Sequence, residues 1–505
     1  MAGPRDQTAV RFVVEAGEAQ RIYSPDMLAW QIVNFRWHED GYLASVNGPC
    51  PYEPNRGAGY PTLNGRTHGL FHAGLLGGIG DTLLLRAGTV LHRHQGWTRS
   101  YGTLTGAGTP NSDVTIAITD ERRPFWPDQF VVIGDKVIWT NGIDRALVIT
   151  HDGMVVPLGF DAQPGAPIVH GPAQPAESGR DTQLPNSKGY SWPGRIGTVG
   201  DVLDGQTGSL LAGSWRYAYR WEDAHGNLSP WSILSEPAHI FTQQSYLETS
   251  TGGVPPNSNP YVELDDLLRQ FIVRCGGGDA PANCGAMHLA RTKDIPRNGE
   301  QLHLLGRFGG RSRMLYPDKL SDAELGPPVT NCVPVPVFRV MAHHEGSLLI
   351  GNTPGDPGIV RKSEPGFPGT LPSDAWCYPD SGGAEITGLA SHAGRAVAFT
   401  ESGVYDITDI GRPVQLMRGV GCSAPRSIYA LPDGRLVWLS RDGFYVMGAD
   451  GSIGRASDAI QRTLSTGINR SRLRRAVATF DPRAREYVCA VAPAGQSVQR
   501  LMLRF

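Results

Sequence analysis

Four arginines within six residues, Arg470, Arg472, Arg474 and Arg475, form the densest run of arginine in the chain. Strand alternation would set Arg470, Arg472 and Arg474 on one face, whereas an exposed loop would present all four. Guanidinium groups held together grip carboxylates or phosphates. They are therefore candidate contacts to a neighbouring subunit or to DNA in a channel, with a solvated face as the plainer alternative. Six carboxylates, Asp113, Asp120, Asp356, Asp380, Glu385 and Glu401, fall at the edges of expected strands. Glycoside hydrolysis would need two of them to converge at about 5–10 Å, and one sequence does not say which pair would. His92 and His94 have strand spacing and could face one metal ion, but a third ligand is not visible nearby. His343-His344 has less to recommend it. Gly77-Gly78-Ile79-Gly80 precedes an expected strand rather than a helix, so it reads as a turn and not as a phosphate cradle. Asp442-Gly443 and Asp450-Gly451 lack the fuller calcium-loop pattern and read as turns. A Gly-x-Ser-x-Gly elbow, a P-loop and a His-Glu-x-x-His helix are all missing from the sequence. The residues assign no catalytic, cofactor-binding or metal role.

The seven cysteines (50, 275, 284, 332, 377, 422 and 489) are scattered and odd in number. Only Cys275 and Cys284 are close, bracketing Gly-Gly-Gly-Asp-Ala-Pro-Ala-Asn, where either a loop-closing disulfide or two reduced thiols fit. Zinc would want paired Cys-x-x-Cys or matching His spacing, and neither occurs.

The elements that must carry these residues announce themselves as hairpins. Leu83–Arg86 and Thr89–Leu91 flank Ala87-Gly88; Phe130–Ile133 and Lys136–Thr140 flank Gly134-Asp135, with Asn141-Gly142 following. Arg395–Thr400 and Val404–Ile407 flank Glu401-Ser402-Gly403; Arg435–Ser440 and Phe444–Met447 flank Arg441-Asp442-Gly443. Glycine at such turns supplies the positive φ they demand. The copies at Leu83 and Phe130 lie 47 residues apart, and those at Leu348, Val397, Leu436 and Glu486 are spaced by 49, 39 and 50. Periods of this size with several strands each mark propeller blades. Arg11–Glu15 and the last strand, Arg500–Phe505, are the natural pair to close the ring. A single helix is expected over Asp458–Ser465, capped by Ser457 or Asp458.

Within 505 residues there are 64 Gly and 39 Pro, a mixture that without a collagen period suits a turn-rich all-β fold. A net charge of −2 argues against a main task of binding nucleic acid or acidic membranes. No apolar run approaches the ~20 residues of a membrane span, and the polar start of the chain lacks a hydrophobic signal region.

Four segments follow. Residues 1–160 hold the first blades, and 161–195 a Pro/Gly-rich linker or arm. Residues 196–330 read as an inserted immunoglobulin- or fibronectin-like β-sandwich, and 331–505 as the remaining blades. Taking 165–330 out of the 218-residue gap between Phe130 and Leu348 leaves 52 residues, close to one blade. In the insertion Trp215, Tyr217, Tyr219 and Trp221 alternate on one strand face, as a core stripe or as a sugar-binding platform.

The order of motifs after residue 360 resembles a known family. It runs Ser363-Glu364-Pro365-Gly366, then Thr400-Glu401-x-Gly403-Val404-Tyr405, then Gly421-Cys422-x-Ala424-Pro425. Ser440-x-Asp442-Gly443-Phe444-Tyr445 and Asp481-Pro482-x-x-x-Glu486-Tyr487 complete it. This series is similar to that of propeller proteins of tailed-bacteriophage tails, the nozzle or tail-tubular type that includes packaged-DNA-stabilisation proteins. The stretch Tyr217–Ser232 resembles an insertion domain that many of them carry. The resemblance covers about two thirds of the chain and implies a non-enzymatic virion component, made in the host bacterial cytoplasm and resident in the tail. It implies a homo-oligomeric, six-fold ring that contacts a portal or adaptor protein and tail fibre or spike proteins. Genomic DNA would pass through transiently; no cofactor and no membrane insertion are implied. Two other classes remain: a polysaccharide-acting propeller hydrolase or lectin, and a propeller scaffold for protein partners.

Overall fold

The hairpin rhythm is laid out in space as four-stranded antiparallel meanders. The structure, a computed structural model, describes residues 10–11, 35–37, 43–45, 67–73, 82–87, 89–95, 100–103, 128–150, 154–170, 209–211, 213–240, 271–276, 280–310, 314–481, 485–497 and 501–504. The chain divides into two compact units, one comprising 1–158, 336–368 and 374–505, the other 159–335 and 369–373.

Among the described residues the first unit contains six four-stranded sheets, five of which join their strands in sequence order. Blade I spans Thr67–Ala73, Thr82–Ala87, Val90–Gln95 and Ser100–Thr103. Blade II spans Gln129–Ile133, Lys136–Thr140, Leu147–Ile149 and Val155–Pro157. Blade III comprises Val340–His344, Ser347–Thr353, Asp356–Lys362 and Trp376–Cys377. Blade IV comprises Gly388–His392, Arg395–Phe399, Gly403–Asp406 and Val414–Arg418. Blade V runs Tyr429–Ala430, Leu436–Leu439, Phe444–Met447 and Ile453–Arg455. Blade VI takes Val477–Asp481, Glu486–Val491 and Leu501–Arg504, and its fourth strand, Val10–Arg11, pairs with Leu501 and Met502. Meanders of this kind are β-propeller blades; the fold is all-β and of propeller type. A further two-stranded ribbon joins Phe35–Trp37 to Leu43–Ser45.

Five of the six spacing anchors (Leu83, Leu348, Val397, Leu436 and Glu486) lie on the second strand of their blades, whereas Phe130 lies on the first strand of blade II. The turn glycines do what their positions require. Gly134 has φ +59°, and Gly142, at φ +69°, sits where a Cβ would lie 2.8 Å from the Arg339 side chain.

Blades are fastened to their neighbours by side chains. Asp128 accepts from Arg86 Nη1 of blade I at 2.7 Å and from Trp139 Nε1 of blade II at 2.8 Å. His344 and His392 are each the last residue of a first strand, and each reaches the following blade. The His344 Nδ1 lies 3.0 Å from Ser391 Oγ, and His392 Nε2 donates to the Gly448 carbonyl at 3.2 Å.

The second unit carries its core between two three-stranded sheets. One joins Ile168–His170, Phe271–Cys275 and Met314–Asp318; the other joins Tyr217–Asp223, Cys284–Thr292 and Leu302–Gly309. Trp215, Tyr217, Tyr219 and Trp221 are all buried in that core against Phe271, Val273, Met287 and Leu289, so the aromatic alternation is a packing stripe and not a sugar platform.

Three boundaries differ from expectation. The linker expected over 161–195 contributes the strand Ile168–His170, because its β-branched Ile168 and Val169 find a partner in Phe271–Cys275. Cys332–Val333 does not resume the blades but pairs with Leu371–Pro372 inside the second unit. That pairing draws 369–373 away from blade III. Gly369 packs so closely on Gly159 that a Cβ would sit 2.6 Å from the Gly159 Cα, and the Gly369 N–H donates to Asn227 Oδ1 at 2.8 Å.

Cys275, Cys284, Cys332, Cys377, Cys422 and Cys489 are free, buried thiols, so the bracketed loop is not closed by a disulfide. Desolvation pushes the Cys422 thiol up to about 12. The expected helix appears as a 3-10 turn, Asp458–Ile460, leading into Gln461–Thr466. Ser457 makes no capping bond; its Oγ accepts instead from the Phe444 N–H at 3.0 Å. No helix among the described residues is long and apolar enough to cross a membrane.

Candidate functional site

Successive strands of a meander run in opposite directions, so the turns between second and third strands share one end of the blades with the connections from one blade to the next. That end carries most of the motif residues. Gly421 lies against blade IV, where a Cβ would meet the Thr400 carbonyl at 2.1 Å. Beside it, the Cys422 N–H donates to the same carbonyl at 2.9 Å. On the side of blade V, Trp438 Nε1 donates to the Gly421 carbonyl at 3.1 Å, and the Ser423 N–H donates to the Leu439 carbonyl. Buried Ser427 accepts from the Leu439 N–H at 2.8 Å through its hydroxyl, while its carbonyl accepts from Tyr487 OH of blade VI at 2.6 Å. One loop thus joins three blades.

Beside it opens a cavity of about 640 Å3. Glu385 reaches it from the connection leading to blade IV, and Glu401 and Ser402 from the blade IV turn. Arg441 and Asp442 come from the blade V turn, and Arg470 and Arg474 from the connection between blades V and VI. The arginine run is neither a strand nor a loop. It forms a 3-10 helix, Arg470–Arg475, because Asn469 accepts from the Ser471 N–H at its start and Leu473 is buried as its one apolar anchor. A three-residue period separates the side chains that alternation would have aligned. Arg474 Nη2 donates to Glu385 Oε2 at 3.1 Å and lies 3.9 Å from Glu401 Oε2. Arg470 lines the same cavity and is exposed, while Arg472 and Arg475 are half-buried and outside its lining.

Of the six carboxylates, Glu385 and Glu401 converge, on a shared guanidinium. Asp356 accepts from Tyr378 OH, and Asp380 from Tyr405 OH at 3.1 Å and from the Ala384 N–H; neither lines the cavity. Asp113, Asp120, Gly77–Gly80 and Cys50 lie outside the described residues, as do the side chains of His92 and His94. His343 Nε2 accepts from the Gly346 N–H, and burial holds the His344 imidazole below its ordinary value. No group of three or more metal-ligating side chains assembles among the described residues.

One further site residue, Asn352, carries no motif signal, and another, Asp442, stands in the motif series only as a turn residue. Asn352 is fully buried in a left-handed conformation (φ +55°), a region that asparagine tolerates. Its amide donates to Glu385 Oε1 at 3.1 Å and to the Ile386 carbonyl at 2.7 Å, and its Oδ1 accepts from Arg339 Nη1. Asp442 accepts from Tyr445 OH at 3.0 Å and from Arg455 Nη2, so its charge is matched outside the cavity.

No family model and no curated protein matches the chain. Similar solved structures are propeller proteins of very low identity. Virginiamycin B lyase from Staphylococcus aureus is 8% identical, covering 87% of this chain and 94% of that one with a TM-score of 0.29. BamB from Moraxella catarrhalis is 10% identical over 77% and 82%, with a TM-score of 0.19. Dipeptidyl peptidase 4 from Porphyromonas gingivalis is 10% identical over 87% and 60%, with a TM-score of 0.24. At these scores the likenesses carry no argument about activity or partners.

Proposed function

We propose that the chain is a non-enzymatic structural protein of a phage tail, a rigid subunit of a nozzle or collar-to-tail ring through which the genome leaves. The reading rests on the motif series that resembles tail propellers and on what those motif residues do. The observation that carries it is the loop from Gly421 to Ser427, whose polar groups and close approaches are committed to holding blades IV, V and VI together. A stiff wedge of this kind closes into a ring when each subunit meets the next through the same pair of unlike surfaces. The ring would be six-fold, with portal or adaptor and fibre or spike proteins as its partners. A near-neutral chain suits a conduit in which DNA must slide, since many phosphate contacts would hold the polymer back.

Negative-stain microscopy and analytical ultracentrifugation of the purified protein test this. Discrete rings support it; a monomer that shortens bacterial capsular polysaccharide contradicts it.

A further inference from the structure

The cavity at the turn end of blades IV and V is lined by three acids and three arginines, but these are not paired one to one. Two of its acids are answered closely from within the protein, and the third, exposed Glu401, only at a distance. Glu385 is held by Arg474 and Asn352, Glu401 lies near Arg474, and Asp442 is held by Arg455 and Tyr445. Its arginines are not all answered. Arg441 and Arg470 line the cavity, are exposed, and pair with no acid among the described residues. They come from different elements, the blade V turn and the 3-10 helix ahead of blade VI, and both are presented to one concave space. Two guanidinium groups facing a recess attract oxyanions, and a concave site focuses that field.

We propose that this cavity receives the carboxylates of an acidic peptide segment from a protein partner, gripped by Arg441 and Arg470. The occupant follows from size and charge together. A space of about 640 Å3 accommodates a few side chains, whereas a DNA duplex is far broader than the recess and meets proteins along its grooves and outer phosphates. The choice of a protein partner rests on the structural reading given above; the surplus of unanswered arginine does not. Arg474 forms the floor. Its 3.9 Å approach to Glu401 is long enough for an incoming carboxylate to take that place, while the 3.1 Å bond to Glu385 keeps the side chain oriented.

The test is fluorescence anisotropy with a labelled oligoglutamate peptide, with inorganic phosphate and a duplex oligonucleotide as separate arms, on the full chain at physiological salt. The expected result is peptide binding that weakens with salt and falls about tenfold or more in Arg441→Ala/Arg470→Ala. Both residues are exposed, and unchanged thermal melting would confirm that the variant is folded. An Arg441→Lys/Arg470→Lys variant, retaining charge without the planar fork, should recover part of the affinity. The proposal is overturned if the alanine variant binds the peptide as well as the parent does. It is equally overturned if the peptide does not bind, whether or not duplex DNA or phosphate does. Microscopy of the same samples separates this inference from the ring reading. Rings without peptide binding remove the site alone, and a peptide-binding monomer removes the ring alone.

Discussion

Blades IV to VI and the core of the second unit solve the same problem, holding sheets together, with opposite chemistry. The blades are joined by neutral groups: a glycine with no room for a side chain, a serine hydroxyl and a buried tyrosine OH, all working on backbone atoms. The second unit is joined by charge. Arg291, fully buried, lies 3.0 Å from Asp318 Oδ2 and donates to Asp322 Oδ1 at 3.1 Å. Tyr217 OH donates to Asp318 at 2.7 Å, and Trp215 Nε1 donates to Asp322 at 3.0 Å. The neutral lock is a feature of blades IV to VI, since blades I and II share the buried Arg86–Asp128 pair. The second unit has one interface of its kind, and a set of matched charges fixes its register. Losing one partner should therefore be far more costly there, because it strands a desolvated ion.

The largest expected effect follows from that contrast. Asp318→Ala leaves Arg291 buried without its nearest counter-charge and should cost about 3–5 kcal/mol in urea denaturation. Replacing Arg291 and Asp318 together by leucine should cost less than the single change; equal or greater loss would place the network's worth in the pair itself. Next comes Gly421→Ala, which forces a methyl group onto the Thr400 carbonyl and should cost about 3 kcal/mol in the same assay. Ser427→Ala strands the buried Leu439 N–H and should cost about 2 kcal/mol, with Ser427→Thr recovering part if the wider side chain fits.

Smaller still is Arg474→Ala. Its pair with Glu385 is partly exposed on both sides, and its loss should cost less than about 1 kcal/mol while altering the cavity. The mildest signature is a pH slope. Burial depresses the His344 imidazole, with the Glu345 and Asp406 charges opposing that shift and Lys362 and His343 adding to it. A depressed imidazole contributes stability that is whole above its ordinary value near 6.5 and fades as pH falls below it, because the unfolded chain takes up the proton first. Thermal melting should therefore decline below that pH in the parent more steeply than in His344→Asn.

The blades were legible because their signal is periodic. Gly134 and Gly142 marked turns through their positive φ, and the second-strand anchors from Leu348 on recurred at 49, 39 and 50 residues. Phe130 broke the rhythm by lying one strand early, since an apolar run looks alike on either strand of a hairpin. The core stripe from Trp215 to Trp221 was legible by alternation alone. The arginine run was misread because Leu473, one apolar residue among four cations, is what selects the 3-10 helix, and its pocket is made by distant strands. Asn352 had no local mark, as its partners Arg339, Glu385 and Ile386 lie in other segments of the chain, and Asp442 was marked only as a turn residue. Boundaries suffered for the same reason: 369–373 leaves blade III because Gly159, Asn227 and Cys332 hold it, and none of these is near it in sequence.

The central proposal, that these blades are a rigid wedge of a tail ring, is tested most directly by electron cryomicroscopy of intact particles from the source of this chain. The account predicts multiple copies of the propeller in a closed ring between portal and tail tip, side by side around the DNA path. A particle lacking the chain, or carrying it as single copies at the ends of receptor-binding fibres, would contradict it.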